Sequence, residues 1–288
     1  MVNHSFQHDW EPTLCVPDPQ KSCFACCPPI RPAGYEHIQY RTIVQRMLRE
    51  NTREFDRQNR DPRPITGFSC WALGYLDDHC RLVGCLLHPA RHQGEDFRFL
   101  TGYGEKCRRE DCPESSIFLE LPVEARRFWL HLADGLGSFE YSSRRFNPLF
   151  HLLGWGSALL GTIVVKENKE HLSPEHLSKT YPVLQSGVAP RANAYLLKGI
   201  TRQRGIESLR GTLFERRFED FSAHLMQHLS ELPWQGDAPF THLLSLDPLF
   251  LDLLRLGAGI KRIHDDLAIS LKKEVDEQLS SFIGKLEA

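Results

Sequence analysis

The side chains of this sequence best suited to chemistry are its nine cysteines, all of which occur within the first 112 residues. Cys23 and Cys26 have the C-x2-C spacing, Cys27 follows at once and Cys15 lies eight residues before Cys23. A C-x2-C turn can direct two sulfur atoms towards one metal ion, as in zinc knuckles and iron–sulfur loops. Because adjacent side chains diverge, we expect either Cys26 or Cys27 to serve a second site or to remain a free thiol.

A second cluster of candidate ligands follows later in the chain. It comprises five cysteines and one histidine: Cys70, Cys80, Cys85, His88, Cys107 and Cys112. Thiolates with one imidazole suit zinc in a closed tetrahedral site, or iron in an iron–sulfur cluster, far better than they suit magnesium or calcium. We therefore predict that the two clusters together bind at least one zinc or iron; inert buried cysteines are the alternative.

The expected cellular compartment favours metal binding over disulfide bonds. The first ten residues, MVNHSFQHDW, lack the basic and apolar regions of a secretory signal, which predicts a cytoplasmic protein. Thiols stay reduced in the cytoplasm, and an odd number of cysteines fits a disulfide framework poorly. The cysteines are therefore interpreted as metal ligands or redox groups.

The motif CFACC, followed after a helical spacer by CWALGYLDDHCRLVGCLLHPAR, resembles the CxxCxxCC family of zinc- or iron-chelating proteins, which includes the flagellin lysine N-methylases. The resemblance covers residues 15–112. Cys70, Leu73, Cys80, Pro89 and Arg91 match the order of the family's second segment. The family's first cysteine falls at Gln20, so either Cys15 takes its place or the site is built differently. The resemblance implies metal binding, and it raises methyl transfer as a further activity.

Composition predicts a water-soluble globular chain. Its 288 residues are 41% apolar and 25% charged, with a formal net charge of -2, which disfavours a general nucleic-acid or membrane-surface binder. One local basic stripe remains, in which arginines recur at steps of three and four residues: Arg46, Arg49, Arg53, Arg57 and Arg60. Glu50, Glu54 and Asp56 offset this stripe, so we interpret it as a solvated helix face, with a phosphate or an acidic partner as the alternative.

Two domains and a mainly α fold are predicted. Residues 1–115 hold every cysteine and many prolines, which indicates a loop-rich metal-binding module with the boundary near 113–120. Within it, the apolar spacing over Tyr35 to Arg57 predicts one helix. Residues 116–288 are predicted to form a mainly helical domain that serves as a scaffold or as a surface for an unknown protein partner.

Two long apolar stripes predict paired helices in the second domain. The first runs from Ile206 to Leu229 and the second from Ile260 to Phe282, and we expect them to be buried against each other or against the region around Leu152. A shorter helix is predicted after Asp247, where a proline and a run of leucines follow. Another is predicted to begin after Ser173, whose side chain would cap it.

Three weaker patterns are interpreted as structural. Residues 146–165 contain no charged side chain, but their strongly apolar part is too short to cross a bilayer, so no membrane role is expected. Gly154, Gly156 and Gly161 do not have the dinucleotide-loop spacing and are expected to serve packing. His224 and His228 lie four residues apart on a predicted helix, without a nearby acid or cysteine to complete a metal site.

Three functions are compatible with these patterns. The first is a metal-binding protein in which zinc or iron organises the amino-terminal module. The second is a metalloenzyme similar to the lysine N-methylases. The third is a metal-stabilised regulatory or nucleic-acid-binding protein that uses the arginine stripe.

Overall fold

The computed structural model describes residues 11–28, 30, 32, 34–66, 70–109, 112–167, 173–233 and 236–286. Helices make up 58% of the structure and strands 4%, so the predicted mainly α class is confirmed. The first ten residues, on which the expectation about a secretory signal rests, lie outside the described residues.

The chain divides into two compact units, Met1–Phe150 and His151–Ala288. The α-helices of the first unit are α1 (Arg41–Glu54), α2 (Gly104–Arg109), α3 (Pro113–Glu120), α4 (Val123–Leu130) and α5 (Ser138–Tyr141), and α6 (Pro148–Leu153) crosses the division. Short 3-10 helices occur at His37–Tyr40, Pro89–Arg91, Arg98–Thr101 and His131–Ala133.

The division after Phe150 lies beyond the predicted boundary near 113–120. The segment after Cys112 is hydrogen-bonded to the cysteine-bearing loops. The backbone N–H of Ser22 donates to Ser138 Oγ at 3.0 Å, and that of Phe24 donates to Ser142 Oγ at 2.9 Å. These buried hydrogen bonds tie helix α5 to the first cysteine cluster. Composition marks the change in cysteine content but carries no information about such contacts.

The helix predicted over Tyr35 to Arg57 is present in shorter form. It opens with the 3-10 turn His37–Tyr40 and continues as α1, which ends at Glu54. Val44 and Leu48 are buried, as the apolar spacing predicts. On the opposite face, Arg46 Nε lies 3.8 Å from a carboxylate oxygen of Glu50, and both side chains are largely exposed. This ion pair agrees with the interpretation of the arginine stripe as a solvated face.

A β-hairpin occupies a segment that was expected to be loop. Strand β1 (Leu73–Tyr75) pairs antiparallel with β2 (Val83–Cys85), with Leu73 opposite Cys85. The carboxylate of Asp77 closes the turn by accepting hydrogen bonds from the backbone N–H groups of Arg81 and Leu82. The hairpin therefore holds Cys85 at one end and its turn at the other.

The described part of the second unit is mainly helical, with one isolated β-bridge between Phe240 and Arg262. Its α-helices are α7 (Ser157–Lys166), α8 (Pro174–Thr180), α9 (Pro190–Arg204), α10 (Thr212–Ser230), α11 (Pro248–Asp252) and α12 (Asp265–Lys285). Further turns are the 3-10 helices Pro182–Gln185, Ile206–Leu209 and Thr241–Leu243 and the π-helix Leu253–Gly257. The predicted cap at Ser173 is confirmed, because its side chain accepts the backbone N–H of His176.

The two apolar stripes of the second unit contact each other through Phe221 and Phe282. The rings of Phe221 on α10 and Phe282 on α12 are stacked, with their centroids 4.4 Å apart. The first stripe is not one continuous helix, because Gly211 adopts a positive φ of 83° and separates the turn Ile206–Leu209 from α10. Leu213 was predicted to be buried but is 65% exposed.

The uncharged segment 146–165 forms α6 and α7. Among the described residues, no helix is both long enough and apolar enough to cross a membrane. Gly154 has a packing role, because a Cβ there would lie 2.8 Å from Pro190 Cβ. His224 and His228 are not joined into a site, since His228 Nε2 contacts Glu274 at 2.6 Å and His224 Nδ1 contacts the carbonyl of Asp220.

Candidate metal centre

A tight backbone contact brings Cys15 to the C-x2-C turn. The N–H of Cys23 donates to the carbonyl oxygen of Cys15 at 2.8 Å. Cys15 Sγ in turn lies 3.8 Å from the hydroxyl of Ser115, whose own N–H bonds to the carbonyl of Cys112 at 2.9 Å. Two distant segments of the sequence, residues 15–23 and 112–115, therefore meet at this point.

We call the four cysteines that meet here the outer thiol group: Cys15, Cys23, Cys26 and Cys112. Burial raises the pKa of the Cys23 thiol, and the charges of the other three members raise it further. Because the electrostatic interaction falls with distance, these effects indicate that the four thiols lie in the same region of the first unit. Cys15 and Cys26 are exposed, whereas the other two are half-buried.

The outer thiol group has a carboxylate beside it that sequence spacing does not reveal. The thiol of Cys112 donates to Glu114 Oε2 at 3.0 Å, and Arg144 holds that carboxylate with Nη2 at 3.0 Å from the same oxygen. Burial and the hydrogen bond to Glu114 raise the pKa of Cys112 to about 12. Burial alone would raise the pKa of Glu114, but its hydrogen bond from Arg144 lowers it, so the carboxylate is charged at neutral pH.

A second set of four lies deeper in the first unit, and we call it the core thiol group: Cys27, Cys70, Cys85 and Cys107. Cys70 is only 7% exposed and belongs to the hydrophobic core that includes Phe24 and Leu48, and Cys27 and Cys85 pack against the same core.

Electrostatic effects connect the members of the core thiol group. Burial raises the pKa of Cys70 to about 11, and the charge of Cys107 contributes. Burial also raises the pKa of Cys85 to about 12, with contributions from Cys70 and Cys107. The charges of Cys85 and Cys70 likewise raise the pKa of Cys27. Cys70 is thus connected electrostatically with each of the other three thiols.

Two arginines border the core thiol group. Arg98 donates to the carbonyl oxygen of Cys107 at 3.2 Å, and its positive charge opposes the rise in the pKa of Cys107 and Cys85. Arg91 also interacts electrostatically with Cys85. A metal ion bound by four thiolates is negatively charged, so cations at this position favour the bound form. No spacing pattern singles out these arginines.

The vicinal pair Cys26 and Cys27 links the two groups. A side-chain hydrogen bond with Cys26 is the largest cause of the raised pKa of Cys27, while the charge of Cys26 also reaches Cys107. This hydrogen bond holds the two side chains together, so it does not support the expectation that adjacent cysteines diverge. We sort eight of the nine cysteines into two adjoining groups of four, which Cys26 and Cys27 connect.

Cys80 and His88, which were both predicted as ligands, stand apart from these groups in the contacts described. Cys80 is exposed in the hairpin turn, with a positive φ of 55°, and interacts with Tyr75. The ring of His88 is exposed, and its Nδ1 accepts the backbone N–H of Ala90 at 3.2 Å. Cys80 lies between Cys70 and Cys85 in the sequence. In the structure it lies in the hairpin turn, at the opposite end of the strands from Cys85.

Cys80 instead lines a polar cleft of about 420 Å³ in the first unit. Charged and polar groups dominate its wall: Lys21, Arg41, Tyr75, Cys80, Arg81 and Glu140. Arg41 pairs with Glu140, and Lys21 pairs with Asp18 at 3.2 Å. No other cysteine lines this cleft.

The donor set of the two thiol groups fits zinc or iron. None of the nine cysteines, all of which lie in the described part of the chain, forms a disulfide. Over that part, no group of three or more histidine, cysteine or acidic side chains is arranged around one point as ready-made ligands. The thiols do not converge on one point. Raised pKa values keep six of them protonated at neutral pH: Cys23, Cys27, Cys70, Cys85, Cys107 and Cys112. A metal ion would have to displace these protons and draw the sulfur atoms together.

Comparison of the chain with protein-family models, with curated proteins and with solved structures finds no match.

Proposed function

We propose that this chain is a metal-binding protein in which two adjoining sets of four thiolates hold zinc or iron and thereby organise residues 15–112. The single observation that supports the proposal best is the gathering of cysteines from separate segments of the sequence in the first unit. Cys15 contacts Cys23 and Ser115, and Cys27 and Cys85 pack against the core that contains Cys70. Sets of four thiolates are the donor sets of structural zinc sites and of iron–sulfur clusters.

Folding and metal binding would be coupled in this module. Sulfur ligands of one zinc ion lie about 2.3 Å from it, so the thiols of each group would converge when the ion binds. The bound ion replaces protons on groups whose pKa is raised, which makes affinity depend on pH. Structural zinc contributes on the order of 10 kcal/mol to such modules.

Metal analysis of anaerobically purified protein tests the proposal. We expect stoichiometric zinc, or iron with acid-labile sulfide and absorption near about 400 nm. Cys70→Ser, within the core thiol group, should lower the metal content, because a hydroxyl is a much poorer ligand than a thiolate for these ions. Cys80→Ser is the matched control, since Cys80 lies outside both groups. Absence of metal from the wild type, or equal loss from both variants, would contradict the proposal.

A second candidate function is a metalloenzyme similar to the lysine N-methylases, and the cleft beside Cys80 favours it. Its volume of about 420 Å³ lies in the usual range of small-molecule sites. Lys21 is largely buried there, while Arg81 and Tyr75 supply further polar groups. Incubating the metal-loaded chain with a lysine peptide and a methylsulfonium donor tests this function. Gain of one methyl mass that Arg81→Ala abolishes would support it, and an unmodified peptide would count against it.

A further inference from the structure

Arginines and aromatic rings lie together on one surface of the first unit. The segment that carries the arginines has left helix α1, which ends at Glu54, and residues 56–64 are exposed. A backbone hydrogen bond fixes the path of this loop, since the N–H of Arg63 donates to the carbonyl oxygen of Leu100 at 2.7 Å. The last two arginines of the predicted stripe therefore lie in a loop rather than on a helix face.

Guanidinium groups of this loop lie against aromatic rings. Arg60 Cζ is 4.0 Å from the centre of the Phe97 ring. Arg63 Cζ is 5.8 Å from the centre of the Trp71 ring, and Trp71 Nε1 donates to the carbonyl oxygen of Arg63 at 2.5 Å. Phe55 stacks on Trp71, with the ring centres 6.4 Å apart. Cationic and aromatic groups therefore alternate across this surface at cation–π distances.

The aromatic rings are held by the fold and are still open to solvent. Phe99 is 58% exposed, and the centre of its ring is 6.5 Å from that of Phe97. Phe97 and Trp71 are partly buried and pack against the hydrophobic core. Side chains that are already fixed lose little conformational freedom when a flat ligand stacks on them.

The arginines of the loop are not neutralised by ion pairs. Within the described part of the chain, no carboxylate lies within ion-pair distance of Arg57, Arg60 or Arg63. The acids of the same loop are Asp56 and Asp61, and the carboxylate of Asp56 accepts a backbone N–H of the loop at 2.8 Å. The guanidinium groups therefore keep their hydrogen-bond donors for another anion.

A fourth arginine lies beside the loop. Arg91 ends a 3-10 turn directly before His92, whose ring meets the Phe97 ring edge-on with the centres 4.8 Å apart. Burial lowers the pKa of Arg91, and the positive charge of Arg57 lowers it further. Four arginines thus outnumber the two acids of the loop, and this excess positive charge attracts phosphate groups.

We propose that this surface binds single-stranded nucleic acid, whose bases stack on the aromatic rings and guanidinium planes while the arginines contact its phosphates. We call it the arginine–aromatic surface, and its members are Arg57, Arg60, Arg63, Trp71, Phe97 and Phe99. A single strand fits this surface better than a duplex does, because only unpaired bases offer their faces for stacking. The inference goes beyond the proposed function and involves none of the cysteines.

Fluorescence anisotropy on the full chain, purified anaerobically, tests the inference. The probes are labelled RNA and DNA of one mixed sequence of about 16 nucleotides, near the upper site size of a single binding fold. The DNA duplex of the same sequence is the third probe. At about 50 mM salt, where phosphate contacts are strong, we expect a single strand to bind at least about tenfold more tightly than the duplex, the effect of one or two stacked bases.

Variants separate stacking from charge. Phe99→Ala should weaken single-strand binding by at least about fivefold, because one base–aromatic stack is lost, whereas Phe99→Tyr should retain it. Arg60→Ala should reduce the steepness of log affinity against log salt by about 0.7, the value for one phosphate contact on a single strand. Arg46→Ala is the matched control, since it removes the same charge from an arginine that pairs with Glu50 on α1. Circular dichroism establishes that each variant is folded.

Four results would overturn the inference: no binding of either single strand, equal affinity for single strand and duplex, unchanged binding in folded Phe99→Ala and Arg60→Ala, or displacement of the probe by polyglutamate as effectively as by unlabelled single strand. The last result would show that the surface takes an acidic polypeptide. Metal analysis of the same samples keeps the two proposals apart. A chain isolated without metal that still prefers single strands would contradict the proposed function alone.

Discussion

The backbone N–H of Cys23 donates a 2.8 Å hydrogen bond to the carbonyl oxygen of Cys15. Gln20 lies in the loop between them, where its own N–H bonds to Asp18 Oδ1 at 2.7 Å and its side chain lines the cleft beside Cys80. The loop therefore returns Cys15, rather than Gln20, to the C-x2-C turn. This contact is the physical reason for including Cys15 in the outer thiol group.

We expect Cys15→Ser to lose the metal bound at the outer thiol group, which lowers the metal content of the chain. Gln20→Ala should leave the metal content unchanged. The reason is that the serine hydroxyl binds zinc and iron much more weakly than a thiolate does. Elemental analysis of both variants, purified anaerobically in parallel, provides the measurement. Loss of metal from Gln20→Ala alone would mean that the site is built around position 20.

Two leucines on α10 test how far the apolar stripe stabilises the second unit. Leu225 is 1% exposed and Leu213 is 65% exposed. Leu225→Ala should lower the free energy of unfolding by about 2–5 kcal/mol, because it removes buried apolar surface and leaves a cavity. Leu213→Ala should change it by less than about 0.5 kcal/mol. Denaturant unfolding measures both, and equal effects would contradict the packing described for α10.

Two glycines near α7 should respond oppositely to the same substitution. A Cβ at Gly154 would lie 2.8 Å from Pro190 Cβ, whereas a Cβ at Gly161 has nothing within 4 Å. Gly154→Ala should therefore destabilise the chain by about 1–3 kcal/mol. Gly161→Ala, inside helix α7, should stabilise it by about 0.5–1 kcal/mol. Thermal unfolding checks the signs, and destabilisation of similar size by both would contradict the packing interpretation.

Glu167 should make stability depend on pH. Burial alone would raise the pKa of Glu167, but hydrogen bonds from His176 at 3.1 Å and Tyr181 at 2.8 Å lower it below its ordinary 4.5. The pKa of Glu167 is thus lower in the folded chain than in the unfolded chain. Its contribution to the free energy of unfolding is therefore present above about pH 4.5 and is lost as the pH falls through the folded pKa.

At neutral pH, Glu167→Gln should lower the free energy of unfolding by about 1.5–3 kcal/mol, the usual contribution of hydrogen bonds to a charged group. The difference from wild type should shrink as the pH falls below about 4.5. Glu277→Gln, at an exposed side chain 3.9 Å from Lys273, is the control and should have little effect. A difference that grows towards acid pH would contradict the assignment.

The sequence predicts the helices well because their determinants are local. Val44 and Leu48 on α1 are buried at the expected spacing, and Ser173 caps α8 as its position indicates. The prediction that Leu213 is buried is wrong, because periodicity cannot distinguish the edge of an apolar stripe from its centre. The interruption at Gly211 depends on a positive φ, which the apolar pattern does not report.

The candidate site was only partly predictable, because its grouping depends on tertiary structure. Cysteine content and the C-x2-C spacing point to metal binding. The choice of partners depends on the hairpin, which separates Cys80 from Cys85, and on contacts such as that between Cys15 and Ser115. Arg98 and Glu114 carry no motif, so only the structure reveals their proximity to the thiols.

X-ray absorption at the metal edge of the anaerobically purified chain tests the central claim most directly, since it reports the atoms bound to the metal. The two thiol groups predict a first coordination shell made of sulfur, at about 2.3 Å for zinc. Cys80→Ser should give the same spectrum as the wild type, because Cys80 belongs to neither group. A shell of oxygen and nitrogen without sulfur, or a protein that carries no metal, would contradict the account.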